Sequence, residues 1–464
     1  MKRKFLISLF LISSIVTFCQ DITGEWNGLL KAGGMQLRVV FHITKTDVGY
    51  SATMDSPDQG AKDIPMSKAM LENRVLTVEL DIAKINYTGT LDMDGDVKGT
   101  FTQGGQAFSL NLTHKSIEKV ELKRPQNPVK PYPYYSEEIT FNNKKENFTL
   151  AGTLTLPKKE GKFPVVVLIT GSGPQNRDEE LMDHKPFLVL SDYLTRNGIG
   201  VLRFDDRGTG ASKGDFAKAL TSNFATDVSA AVDYLKTRKD IDAKKIGLIG
   251  HSEGGIVAPM VAVNRKDIRF IVLMAGTAVP GGDILLLQQD LIGRAAGVKE
   301  EDLKQTANIN REIFYIIAKS SNDSTLKTKL SDYIKLKIKE MPDVPKDAKE
   351  DDIVKQQLAR LTPWMLNFIK YNPAPMLEKV KCPVLAINGS KDMQVSSNIN
   401  LPAIENALKK GGNKKYTIKE LPRLNHLFQE CTTGAPVEYS QIEQTMSPVA
   451  LETMANWIKQ TIKQ

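Results

Sequence analysis

The strongest constraint on this chain is a repeating alternation in its larger, C-terminal part. Runs of Val, Ile and Leu at 163–170, 200–204, 245–249, 270–274, 383–388 and 416–421 are separated by helix-like stretches such as 187–196 and 223–238. Runs that are apolar on every residue are buried on both faces, and helices between them specify a mostly parallel sheet with helices on both sides. The faces of such a sheet are covered, so ligand chemistry collects beyond the carboxyl ends of its strands.

At one of those ends the run 245–249 enters Gly250-His251-Ser252-Glu253-Gly254-Gly255, followed by the small-residue apolar stretch 256–263. This reads as strand, tight turn and helix around Gly-x-Ser-x-Gly, the pattern of a nucleophile elbow. A serine hydroxyl is a weak nucleophile and must stand clear of the sheet, with room for a base and for oxyanion donors. The turn crowds the backbone, and Gly250 and Gly254 are where a Cβ would collide. Ser252 is the candidate nucleophile. A chance serine in a strand-turn-helix is the plainer alternative, and the other strand ends decide between them.

After 163–170 comes Gly171-Ser172-Gly173-Pro174, a Gly-rich loop whose backbone can face the crevice. The N–H of Ser172, with that of Glu253, is the candidate oxyanion hole. The loop lacks the Lys-Ser/Thr ending of a phosphate loop. Asp205-Asp206-Arg207-Gly208 is read as a structural loop, with Arg207 paired to a buried carboxylate. Asp392 stands just past the run 383–388, at the level where a carboxylate can orient a histidine. Of the five histidines, His42 and His114 fall in the N-terminal region, His184 in the oxyanion-side loop and His251 beside Ser252. His426 alone follows Ser252, giving the order Ser, Asp, His.

The 464 residues suffice for two to three domains, and 41% hydrophobic with 25% charged residues excludes global disorder. The net charge of +8 takes three of its units from Lys2, Arg3 and Lys4. The Lys-rich runs 327–339 and 409–415 are read as solvated faces, so nucleic acid is not expected as a partner. Residues 1–19 look like a secretory leader, basic and then apolar from 5 to 18, too short for a membrane span. Cleavage before Gln20 predicts a periplasmic or secreted protein without stable membrane insertion. Lipid anchoring at Cys19 is the competing reading, against which bulky Phe18 counts. Cys382 and Cys431 form no disulfide framework; they are two buried thiols or a single bridge. No His/Cys cluster has zinc spacing, so neither metal nor cofactor is expected.

Ahead of the alternating part, 20–122 reads as an all-β module opened by Gly24-Glu25-Trp26-Asn27-Gly28, a sandwich or small barrel. Trp26 is read as a core plug. A Pro-rich linker at 123–137 is expected to act as a semi-rigid spacer, with the catalytic domain running over 138–464. A helical insertion at about 281–370 breaks the alternation and is read as a cap over the strand ends, with Trp364 and Phe368 in its core.

In these motifs 138–464 resembles the α/β-hydrolase superfamily, in its serine-aminopeptidase-like branch. It is most similar there to secreted bacterial esterases with Gly-His-Ser-Glu-Gly-Gly at the elbow. Gly171-Ser172-Gly173-Pro174, Asp206-Arg207-Gly208-Thr209-Gly210, 383–389 and Asn425-His426-Leu427-Phe428 carry the likeness. The resemblance implies an α/β-hydrolase fold, Ser252 as nucleophile, His426 as base and Asp392 as its orienter. The motifs are far less specific for substrate than for fold; the favoured activity is that of a carboxylesterase on a small or medium acyl ester. The loop at 171–174 departs from the superfamily by lacking its common His-Gly pair. Two alternatives stay open. One is an aminopeptidase or amidase on the same triad, with Glu253 or a cap carboxylate binding the amine. The other is an envelope- or glycan-binding protein with an idle site.

Overall fold

The computed structural model describes residues 21–463 except 33–34, 60, 104–105, 119–122, 321–322 and 341–349. The leader expected at 1–19 lies outside the described residues. The chain divides into two compact units, Met1–Glu121 and Leu122–Gln464.

The first unit is built from β1 (Gly24–Ala32), β2 (Met35–Thr46), β3 (Gly49–Ser56), β4 (Ala61–Pro65), β5 (Lys68–Glu72), β6 (Val75–Leu80), β7 (Ile85–Leu91), β8 (Val97–Gln103) and β9 (Gln106–Thr113). They pair in the order β2-β1-β9-β8-β7-β6-β5-β3-β4, and β3 also pairs with β2. The second pairing closes an antiparallel barrel with β4 alongside β3, and closure leaves no long free edge. Of the two architectures left open by the sequence, the barrel is the one formed. Alternation drives it: in β7 every second residue, Ile85 to Leu91, is buried. Trp26, Phe41, Tyr87 and Leu110 fill the interior, and the Trp26 indole N–H donates to the Ile22 carbonyl at 2.8 Å. The short strands β4 and β5 have no clean alternation, so the sequence pattern does not mark them.

The second unit contains β10 (Tyr135–Asn143), β11 (Phe148–Leu156), β12 (Phe163–Ile169), β13 (Gly200–Phe204), β14 (Ile241–His251), β15 (Phe270–Met274), β16 (Val384–Gly389) and β17 (Tyr416–Leu421). Their order is β10-β11-β13-β12-β14-β15-β16-β17. The first two pairings are antiparallel and all others parallel. The uniformly apolar strands serve two cores. Val165, Val167 and Ile169 of β12 join one, with helices α2 (Thr221–Thr237), α3 (Gly254–Asn264) and α10 (Ser397–Lys410). Val166 and Leu168 join the other, with α1 (Pro186–Arg196) and α11 (Pro448–Thr461). Each fully buried Val or Leu contributes roughly 1.5–3 kcal/mol. Gly152 sits mid-strand, where an added Cβ would lie 2.6 Å from the Arg203 carbonyl, so it marks a close approach of strands.

The insertion is helical: α4 (Gly281–Ala295), α5 (Glu300–Lys319), α6 (Asp323–Glu340), α7 (Glu350–Ala359) and α8 (Pro363–Lys370), with α9 (Ala374–Leu377) leading back to the sheet. It holds a small core of its own around Ile317, Leu326, Leu330 and Ile369. Among the described residues no helix is long and apolar enough to cross a membrane.

Residues 123–134 differ from the expected spacer. The Arg124 guanidinium donates to the carbonyls of Met182, Ser440 and Ile442 at 2.9, 3.0 and 3.0 Å. The Gln126 side chain meets the backbone of Thr445 and Met446. The strip turns at 125–127, its polar side chains bind loop backbone of the catalytic unit, and the sheet begins at Tyr135 rather than 138. Removing a donor from partly buried carbonyls is costly. Arg124→Ala is therefore expected to lower the stability of the catalytic unit by about 2 kcal/mol, seen as a lower urea midpoint. An unchanged midpoint would make the strip a mere spacer.

Candidate functional site

The turn after β14 is strained in the way its sequence requires. Ser252 has φ of +51°, a left-handed conformation unusual for any residue but glycine. A Cβ on Gly250 would overlap the Gly254 carbonyl, and one on Gly254 would overlap the Ile169 carbonyl at the end of β12. One on Gly255 would come within 2.6 Å of Gly276 Cα. Ser252 itself is half-buried. A Cβ on Gly171, in the loop after β12, would stand 3.3 Å from that of Ser252, so this loop lies directly against the serine.

Two backbone donors near the serine are already engaged. The N–H of Ser252 donates to the Met274 carbonyl at 2.9 Å, and that of Gly171 to the Glu179 carboxylate at 2.7 Å. Those of Ser172 and Glu253 have no acceptor among the described residues. Glu253 stands at the N-terminus of α3, where the helix dipole favours negative charge.

The acid and the histidine predicted from the sequence come together. Asp392 follows β16 and His426 follows β17, neighbouring parallel strands. His426 Nδ1 donates to Asp392 Oδ2 at 2.8 Å, and both residues are buried. The other oxygen of Asp392 accepts the N–H groups of Gln394 and Val395, each at 2.8 Å. This fixes the carboxylate and leaves Nε2 of His426 as the nitrogen without a carboxylate partner.

Carboxylates hold the loop that passes Ser252. Asp206, at the end of β13, accepts from the Thr170 hydroxyl at 2.7 Å and the Gln175 N–H at 2.9 Å, clasping both ends of 171–174. Burial pushes the Asp206 carboxyl up to about 8. Burial pushes the Asp205 carboxyl up, but the Arg177 guanidinium at 2.8 Å and the N–H groups of Ala211 and Arg177 together hold it below the usual carboxylate range. Arg207 is paired to buried Asp227 at 2.8 Å, the structural role read for it. The Glu253 carboxylate is buried. It accepts from the Thr221 hydroxyl at 2.6 Å and from the Trp364 indole of α8 at 2.8 Å, and burial raises its pKa. Trp364 stacks on Phe368, but both pack in one of the two cores of the sheet, which includes Ile256 and Met260 of α3, rather than in the insertion's own core. Trp364 also reaches the elbow.

Two features escaped the sequence reasoning. Glu179 accepts from His251 Nδ1 at 2.9 Å, and His251 Nε2 donates to the His426 carbonyl at 3.0 Å. Glu179 lies in an irregular loop with no spacing that marks it; His251 carried a signal only through its place in the elbow. His184, by contrast, is a core histidine with the Thr445 hydroxyl at Nδ1 and the Tyr439 carbonyl and Gln429 side-chain amide at Nε2, each at 2.9 Å. Cys382 and Cys431 are free thiols. Among the described residues no group of three His, Cys, Asp or Glu side chains is placed to hold a metal ion.

A mixed sheet in this strand order, with a serine on a strained turn between strand and helix, defines an α/β-hydrolase. A family model described as X-Pro dipeptidyl-peptidase (S15 family) matches residues 147–418, more than half of the chain, and the chain belongs to that family. The esterase EstD of Thermotoga maritima is 27% identical over 387 residues, covering 82% of this chain and 78% of its own length. Among solved structures, an esterase of Pyrococcus furiosus is similar at 15% identity and a TM-score of 0.43, covering 74% of this chain and 98% of that one. Est1E from Butyrivibrio proteoclasticus, bound to ferulic acid, is similar at 17% identity and a TM-score of 0.41, covering 70% and 100%. The chain is a hydrolase.

The core histidine yields a pH prediction. Burial, opposed by the bond to Tyr439, pushes the His184 imidazole down to about 4, whereas an unfolded histidine titrates near ~6.5. The unfolded chain takes the proton first, so this contribution is full above ~6.5 and falls away as pH drops toward 4. Between pH ~7 and ~5 the wild type should therefore lose about 2 kcal/mol more than His184→Gln. Urea titrations at the two pH values measure it; equal losses would show that His184 does not titrate this way.

Proposed function

We propose that the protein is a carboxylesterase that cleaves small or medium acyl esters through Ser252, His426 and Asp392. The observation that carries this reading is the buried 2.8 Å bond from His426 Nδ1 to Asp392, on the same rim of the sheet as the strained Ser252. In the proposed reaction His426 Nε2 takes the proton as Ser252 Oγ attacks the ester carbonyl carbon. The N–H groups of Ser172 and Glu253 stabilise the oxyanion, a contribution of roughly 3 kcal/mol each by mutational precedent. The imidazolium returns the proton to the departing alkoxide, and the alcohol leaves an acyl-enzyme. Water, deprotonated by His426, then releases the acid and restores the serine.

The family description favours a second reading, a peptidase that recognises a free amine. Glu253, the acid best placed for that task, argues for the ester. It is buried and already accepts two hydrogen bonds. Burial also biases it toward its neutral form, a poor partner for ammonium. The relative aligned over 82% of this chain bears the name of an esterase.

A fluorophosphonate probe should label the wild type and not Ser252→Ala. Turnover of aryl acyl esters should exceed that of Xaa-Pro anilides, and Asp392→Asn should lower kcat by roughly 10³–10⁴-fold. Faster anilide turnover would replace the esterase by the peptidase. Absence of labelling would leave a binding protein with an idle site.

A further inference from the structure

Two buried histidines of the catalytic unit have opposite surroundings. His184 has the Thr445 hydroxyl at Nδ1 and, at Nε2, both the Tyr439 carbonyl and the Gln429 side-chain amide, so its partners include groups that donate as well as accept. His251 faces acceptors on both sides, the Glu179 carboxylate at Nδ1 and the His426 carbonyl at Nε2. An imidazole serves two acceptors only with a proton on each nitrogen. Both His251 and Glu179 are shut off from water. Burial by itself pulls the His251 pKa down, but the Glu179 carboxylate beside it leaves it above the ordinary value.

The pair also joins two parts of the site. The oxygen of Glu179 that accepts from His251 also accepts the Gly171 N–H at 2.7 Å, one residue before Ser172. The ring centre of His251 lies 4.8 Å from that of His426 and 6.3 Å from that of Phe428. The charged groups around the two rings are Glu179, on the loop after β12, and Asp392, on the loop after β16.

We infer that His251 is a resident imidazolium paired with Glu179, and that the pair positions the oxyanion loop and the catalytic base relative to one another. This rests on the serine-hydrolase reading above and extends it to two residues that touch neither substrate nor reacting atoms. Mechanically, one carboxylate oxygen ties the loop bearing the Ser172 N–H to the ring that holds the His426 main chain. Electrostatically, the pair sets a fixed positive ring beside the ring of His426, at 4.8 Å between centres.

The test is kcat/KM for p-nitrophenyl acetate as a function of pH in the wild type, Glu179→Gln and His251→Gln, alongside fluorophosphonate labelling. His251→Gln removes the positive ring and leaves the Glu179 charge beside the base, so the acid limb of its profile should move to higher pH by about one unit. Glu179→Gln removes the negative partner and should not raise the limb. The plateau kcat should fall about 10- to 100-fold in both with little change in KM. Equal loss at every pH in His251→Gln, with its limb unmoved, overturns the inference and leaves the esterase reading standing. A wild type that neither labels at Ser252 nor turns over ester removes both. The unaltered chain offers an independent readout should a variant not fold. With ¹⁵N-labelled histidine, one of its five imidazoles should keep both ring nitrogens protonated at pH ~8. Five neutral imidazoles would overturn the inference.

Discussion

Everything in the catalytic unit is arranged around backbone meeting backbone at the end of β14. The strand, the helix that leaves it and the neighbouring end of β12 approach so closely that Gly250, Gly254 and Gly255 have no room for a methyl group. That contact forces Ser252 to φ of +51°, a conformation that costs on the order of 1–3 kcal/mol. Two hydrophobic cores, one on each face of the sheet, hold the elements in place and offset the strain. The close contact also brings the loop after β12 against Ser252, near the N–H groups of Ser172 and Glu253 that have no acceptor among the described residues.

Acidic groups dominate the surroundings of that region, and environment gives each a different state. Asp205 stays ionised because Arg177 is bound to it. Asp206, deeper and without a cation, is pushed toward its protonated form and clasps the loop through hydrogen bonds instead. Asp392 is fixed by two backbone N–H groups as well as by His426. Separate environments let neighbouring carboxyls do structural and chemical work without repelling one another out of the fold.

How much of this the sequence displays depends on the kind of interaction. Strands apolar at every position, a five-residue elbow and the order Ser252, Asp392, His426 are local or ordered along the chain, so they can be read from it directly. The closing strands β4 and β5 are short and mixed in character, and their pairing is decided by barrel closure. Arg124 looks like part of a Pro-rich spacer until the carbonyls of Met182, Ser440 and Ile442 are brought beside it from distant positions. Glu179 and His251 are separated by 72 residues and meet only because β12 and β14 are adjacent. Such contacts are set by tertiary geometry, and no periodicity or motif encodes them.

Glu253 shows how one residue can meet two opposing demands. Its main chain stands where negative charge would develop in the proposed reaction, yet its side chain is an acid within the same few ångströms. An ionised carboxylate there would repel the oxyanion and cancel part of what the N–H contributes. The structure removes the conflict in two ways. The carboxyl is turned into the protein, where Thr221 and Trp364 donate to it, and burial biases it toward the neutral acid. Glu253 thereby ties α8 of the helical insertion to the elbow through its side chain, while its backbone N–H has no acceptor among the described residues. The position of α8 and the electrostatics of the elbow are thus linked through the same part-buried hydrogen bond.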